Sequence, residues 1–137
     1  MSGARDARGL TVAIVGVVSA RAAPYALSFE AGRAIATNSA DTFAVGVACR
    51  TPDPDALEII CKGAARIVMV SEGEIRGAIR AYYTDTHNLA EGAGAVPLAA
   101  LLQEKPAMAG KRVGLVLSGG NIDMSVYRNV LSENSDG

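Results

Sequence analysis

Two short stretches of this 137-residue chain combine hydrogen-bonding side chains with glycines in a way that suits ligand contact. The first is Leu117-Ser118-Gly119-Gly120-Asn121-Ile122-Asp123. An apolar run ends in a serine, two glycines let the backbone turn tightly, and Asn121 is placed to cap a following helix. In parallel α/β sheets, ligands collect at the carboxyl ends of strands and at helix N-termini. The same residues also read as a plain strand–turn–helix connection with a good cap. The second stretch is Glu91-Gly92-Ala93-Gly94-Ala95, where a carboxylate precedes residues with almost no bulk. It allows a ligand or another segment to come close, and it also reads as a tight loop with Glu91 in solvent.

Other reactive side chains are scarce. Cys49 and Cys61 are too far apart for a CxxC motif, and with His87 as the single histidine there is no Cys/His zinc set. Buried or half-buried free thiols are the expectation. His87 lies in the polar stretch THNLAE, where a solvated or locally bonded imidazole is expected and a Cys/His dyad is not supported. No metal site is expected.

The elements that must hold these residues alternate. Residues 11–18 (TVAIVGVV), 66–70 (RIVMV) and 112–117 (RVGLVL) are short β-branched runs of the kind that form strands buried on both faces. Helices are expected over residues 22–31, opened by Pro24 and closed by Gly32, and over 55–62, capped by Asp55. Ser71-Glu72-Gly73-Glu74 is a capping box, and Ile75, Ala78, Ile79 and Tyr82 then recur at helical spacing to about residue 84. Pro97 pushes the start of the next helix to Val96, residues 41–48 form a short extended piece, and a last helix covers 122–131 before a frayed tail. Strand–helix alternation predicts an α/β fold with a parallel sheet between helical layers.

Composition sets outer limits. Half of the residues are hydrophobic and mean hydropathy is +0.23, so a buried core is available. Thirteen basic and fourteen acidic residues leave a net charge of -1, which argues against nucleic acid or an anionic membrane as partner. No apolar run reaches the roughly 18 residues of a membrane span, and MSGARDARGL has no signal-peptide apolar core. A soluble cytoplasmic protein is expected.

Taken in order, FEAG (residues 29–32), VMVSEGEI (68–75), AEGAGAVPLAALL (90–102) and LSGGNID (117–123) give a specific pattern. From about residue 11 to 127 the chain resembles the C-terminal part of the threonine dehydratase/serine racemase family. These are pyridoxal-phosphate enzymes of fold type II, similar to the tryptophan synthase β-subunit. The resemblance implies that residues 1–137 form one segment of the large domain of such an enzyme. It implies that Ser118 hydrogen-bonds the pyridine nitrogen, that Gly119 and Gly120 leave room beside the ring, and that Asn121 starts the last helix. Glu91 and Gly92 would line the cofactor pocket, and Gly46 would approach the cofactor. A hydroxyl at the ring nitrogen does not hold a proton there, which suits elimination of a β-hydroxyl, giving a 2-oxo acid and ammonia, over transamination. Threonine or serine is the implied substrate.

Departures from the family pattern carry information too. Val18 stands where a family glutamate joins a divalent-cation site, and Pro24 falls near its second carboxylate. Val45 replaces the aspartate that precedes the equivalent of Gly46. Lys62, Lys105 and Lys111 are the only lysines, none in the serine-flanked setting of the family's Schiff-base lysine, and no glycine run forms a phosphate loop. The expectation is therefore half a cofactor site, with no catalytic residue of its own, completed by a missing N-terminal segment of the same enzyme. Alternatives are a non-catalytic binding or oligomerisation module and an amino-acid racemase. A nucleotide-binding half-fold is disfavoured, since GxGxxG follows none of the strand candidates. A strand edge left bare would favour a homo-oligomer, most simply a dimer.

Overall fold

The computed structural model describes residues 1–133, and the SENSDG tail expected to fray lies, from residue 134 on, outside the described residues. Its centre is a parallel pair, β1 (Val15–Ser19) and β2 (Arg66–Val70), in the register Val15↔Arg66 to Ser19↔Val70. β2 occupies the residues its β-branched run predicts. β1 starts four residues later than expected because the helix before β2, α3 (Pro54–Gly63), ends at Gly63 and β2 begins at Arg66. Ahead of Val15 the Ile14 carbonyl still accepts from the Ala65 amide at 2.8 Å, and residues 11–13 have no ladder opposite them. The third expected strand does not form: residues 112–117 have no regular structure, and no strand pairs with them among the described residues. A β-branched run becomes a strand only when a neighbouring strand takes up its backbone groups.

The helices follow local chemistry, with revised boundaries. A short α1 (Ser2–Ala7), not expected from the sequence, rests on the end of α3, where Arg5 donates to the Gly63 carbonyl at 3.0 Å. In α2 (Pro24–Ala31), proline takes the first position and Gly32 closes the helix at φ 65°, the left-handed conformation glycine adopts without strain. The cap of α3 (Pro54–Gly63) is Asp53 rather than Asp55: its carboxylate accepts from the Ala56 amide at 2.9 Å, because Pro54 fills the first helical position. The capping box forms as read, with Glu74 N–H on the Ser71 hydroxyl at 3.2 Å and Ser71 N–H on the Glu74 carboxylate at 2.7 Å. From it α4 (Glu72–Thr86) runs on to a left-handed His87.

α5 (Gly92–Gln103) begins four residues before Val96 and carries Pro97 inside it. Pro97 removes only the amide that would meet the Ala93 carbonyl, in the second turn, and burial of Ala95, Val96, Ala99 and Ala100 offsets that loss. α6 (Lys105–Met108) is a single turn, and α7 (Met124–Ser132) starts after Asp123, so Asn121 does not begin the last helix. Residues 45–47 form a 3-10 turn where an extended piece was expected.

The core lies on one face of the sheet. Val15, Val17, Val68 and Val70 alternate toward α4, α5 and α7, where Ile75, Ile79, Val96 and Val130 are almost fully buried. On the other face, Ile14, Gly16, Val18 and Ile67 line an apolar cleft with Tyr25 and Ile60. The fold is α/β with a small parallel sheet, thinner by one strand than expected.

Candidate functional site

Three segments converge on the first turn of α5. The Glu91 amide donates to the Gly119 carbonyl at 3.1 Å. A Cβ built on Gly94 would lie 2.5 Å from that same carbonyl oxygen and 3.2 Å from the Gly119 nitrogen. A Cβ on Gly119 would strike the Glu91 carboxylate, and one on Gly120 would come within 2.6 Å of the Leu89 carbonyl. From the opposite side, Gly92 faces Ala44, whose Cα would be 2.8 Å from an added Cβ, and Gly46 abuts the Ala93 methyl at the same distance. Real Cβ atoms essentially never come within 3.0 Å of another heavy atom, so Gly46, Gly92, Gly94 and Gly120 are required for close approach, while at Gly119 the contact is with the flexible end of Glu91, which can shift. Gly46, Gly119 and Gly120 have no positive φ, so no left-handed turn demands them.

The structure thus brings Gly46, Glu91, Gly92, Gly119 and Gly120 into one contiguous wall. Ser118 and Asn121 flank the glycine pair and are both exposed. Behind Ser118, Leu117 is packed against the core, which anchors the loop from inside. Among the described residues no hydrogen bond engages the Ser118 hydroxyl or the Asn121 side chain, so both are available to a ligand. Val45, in place of the family aspartate, is 79% exposed beside Gly46. Val18 and Pro24 lie at β1 and α2. His87 bonds locally, Nδ1 to the Tyr83 carbonyl at 3.1 Å, and the two cysteines are unpaired, Cys49 half-buried as expected but Cys61 exposed on α3 rather than buried. Lys62 pairs with Glu58 on α3, Lys105 opens α6 and Lys111 follows the turn after it, so none of the three belongs to the wall.

One residue with a role here was not singled out from the sequence. Glu72, within the capping box but with no capping task, turns its carboxylate onto Ser19, Thr42 and Phe43. Partial burial alone would raise its pKa; hydrogen bonds from Ser19, Thr42 and Phe43, aided by the charge of Arg21, outweigh that and hold it below the usual carboxylate value. The signal was available as a second acid in the first turn, beyond the one the box requires.

A family model described as pyridoxal-phosphate dependent enzyme matches residues 1–119. The L-threonine ammonia-lyase of Geobacter sulfurreducens is 42% identical over 121 residues, 88% of this chain and 30% of that protein. The L-threonine ammonia-lyase of Thermotoga maritima is 34% identical over 122 residues, 89% of this chain and 30% of that one. The crystal structure of the threonine deaminase of T.th. superposes with a TM-score of 0.82 at 32% identity, covering 89% of this chain and 44% of its own. Maize serine racemase, at 22% identity and a TM-score of 0.81 over 92% of this chain and 39% of its own, shares the fold. The chain spans less than half the length of each of these proteins.

Proposed function

The chain belongs to the pyridoxal-phosphate dependent enzyme family, and from that premise we propose that it supplies one wall of the cofactor site of a threonine or serine dehydratase. The observation that carries the reading is the convergence of Gly46, Glu91, Gly92 and Gly119 on the first turn of α5, with an exposed, unbonded Ser118 hydroxyl on the residue next to Gly119. These residues suit the pyridine side of pyridoxal phosphate. Ser118 would hydrogen-bond the ring nitrogen, Gly119 and Gly120 would keep side chains away from the ring, and Glu91 and Gly92 would back the wall. When bound, the cofactor supplies the electron sink that eases loss of the proton beside the amino group and departure of the β-hydroxyl. A dehydratase is favoured over a racemase by the two ammonia-lyases at 42% and 34% identity.

The lysine that would hold the cofactor covalently and the loop for its phosphate are assigned to polypeptide outside these residues. Purified alone, the chain is therefore expected to retain no covalent pyridoxal phosphate. Incubation with the cofactor, borohydride reduction and peptide mass spectrometry test this, and a stable adduct at Lys62, Lys105 or Lys111 would contradict it. Mixing with the N-terminal two thirds of a family enzyme should restore retention of the cofactor. Failure to retain it under any mixing condition counts against the reading.

A cytoplasmic location belongs to this reading and is supported by the two free thiols. So does self-association of the chain alone. β1 and β2 each have an outer edge without a ladder partner among the described residues, and an apolar cleft lies beside them. A dimer is expected in sedimentation velocity at tens of micromolar, a range where modest interfaces associate; a clean monomer there would refute it.

A further inference from the structure

Glu72 stands in the first turn of α4, where a carboxylate is favoured by the helix dipole, yet its side chain faces away from the helix backbone. Ser19, fully buried at the last position of β1, donates its hydroxyl to Oε1 at 2.7 Å. Thr42 donates its hydroxyl to the same oxygen at 2.7 Å, and the Phe43 amide donates to Oε2 at 3.1 Å. The Thr42 hydroxyl in turn accepts from the Ala44 amide at 3.1 Å. Residues 32–44 contain no helix or strand, so no ladder fixes where Thr42 and Phe43 run; local turn bonds reach the Phe43 and Ala44 carbonyls, which accept from the Val45 and Val47 amides at 2.9 Å. On the far side of that segment, fully buried Ala44 presses on Gly92, and the Glu91 amide holds the Gly119 carbonyl. One unbroken series of contacts leads from the Glu72 carboxylate to the loop that carries Ser118. Arg76, on the same helix, adds a second hold by lying 4.7 Å from the centre of the Phe43 ring. Arg21, paired with Asp41 at 3.6 Å, brings positive charge near the carboxylate.

The geometry points to Glu72 as a positioning residue: its carboxylate sets the course of Thr42-Phe43-Ala44, and Ala44 sets the first turn of α5 on which Gly119 rests. The inference deepens the cofactor-wall reading and rests on it for its functional meaning, but its test does not require cofactor. Residue-resolved amide hydrogen exchange on this chain reads it directly. Two variants are compared, Glu72→Gln, which takes away one of the two acceptor oxygens, and Thr42→Val, which keeps the shape and takes away a donor. Glu91 touches neither side chain, so its amide reports whether the hold is transmitted.

In both variants the Phe43 amide should exchange about tenfold faster, the effect of losing roughly one hydrogen bond, and the Glu91 amide should accelerate measurably as well. The amides of Leu57 and Ala64, bonded to Asp53 and Ile60 on α3, should keep their rates. Acceleration at Phe43 with Glu91 unchanged would overturn the inference, since the bonds would then be local. Equal acceleration at Leu57 and Ala64 would overturn it too, since Glu72 would then serve general stability. If Glu72→Gln does not fold, Thr42→Val decides by the same readouts. A protein that never regains cofactor with an added N-terminal segment would sink the cofactor reading and leave this exchange result standing.

Discussion

Gly94→Ala is expected to destabilise the chain even though it puts a better helix former into α5. In an unobstructed helix interior, replacing glycine with alanine gains up to about 1 kcal/mol through lower backbone entropy in the unfolded chain. At Gly94 the added methyl would sit 2.5 Å from the Gly119 carbonyl oxygen and 3.0 Å from a Leu117 methyl. The carbonyl cannot swing aside freely, because it accepts the Glu91 amide at 3.1 Å. Forcing the segments apart costs what overpacking usually does, about 1–3 kcal/mol or more, and it also weakens the bond that joins the loop to α5. The net effect should be a loss of stability, accompanied by faster exchange of the Glu91 amide. Gly77→Ala is the internal control. Gly77 lies inside α4, and an added Cβ would meet only the far end of Arg80 at 3.9 Å. That variant should gain about 0.5–1 kcal/mol. Denaturant unfolding of both variants checks the pair, and stabilisation by Gly94→Ala would show that the loop gives way and that the wall is loosely built.

What the sequence made legible divides along local and non-local physics. The Ser71 box and the Pro24 start and Gly32 stop of α2 could be read because the residues that decide them are neighbours in the chain. Residues 112–117 read as a strand and are not one, since pairing depends on a partner that no local pattern contains. α5 begins at Gly92 rather than Val96 for the related reason that tertiary burial of its alanines overrides glycine and proline propensities. At the site, the glycine-rich stretches were visible as places where the backbone can turn tightly, as it does where the Ile122 amide meets the Gly120 carbonyl at 3.0 Å, but the close approach between segments that they also permit was not. Which segments meet could not be read at all: Gly46 and Ala93 are adjacent only because the sheet and α5 bring them together. Glu72 was hidden for the same reason, its partners lying at Ser19 and Thr42.

Ser118→Ala should separate fold from function. In this chain Ser118 is exposed and bonded to no other described residue, so removing its hydroxyl should change unfolding stability by no more than about 0.5 kcal/mol, as for an ordinary surface site. With an N-terminal family segment added to rebuild the site, the same hydroxyl would face the pyridine nitrogen. Its loss would remove one hydrogen bond, worth about 1 kcal/mol net and more if the nitrogen is left buried and unpaired. Retention of pyridoxal phosphate should then weaken by about fivefold to tenfold, and turnover of threonine or serine to 2-oxo acid should fall with it. Ser118→Asp sharpens the test, because a carboxylate there would hold a proton on the ring nitrogen and favour side reactions that need a stronger electron sink. The alanine and aspartate variants should therefore differ in kind, the first in retention and rate, the second in product distribution. An alanine variant that matches the parent in both retention and turnover would reduce Ser118 to a turn residue and remove the ring-facing role from this wall.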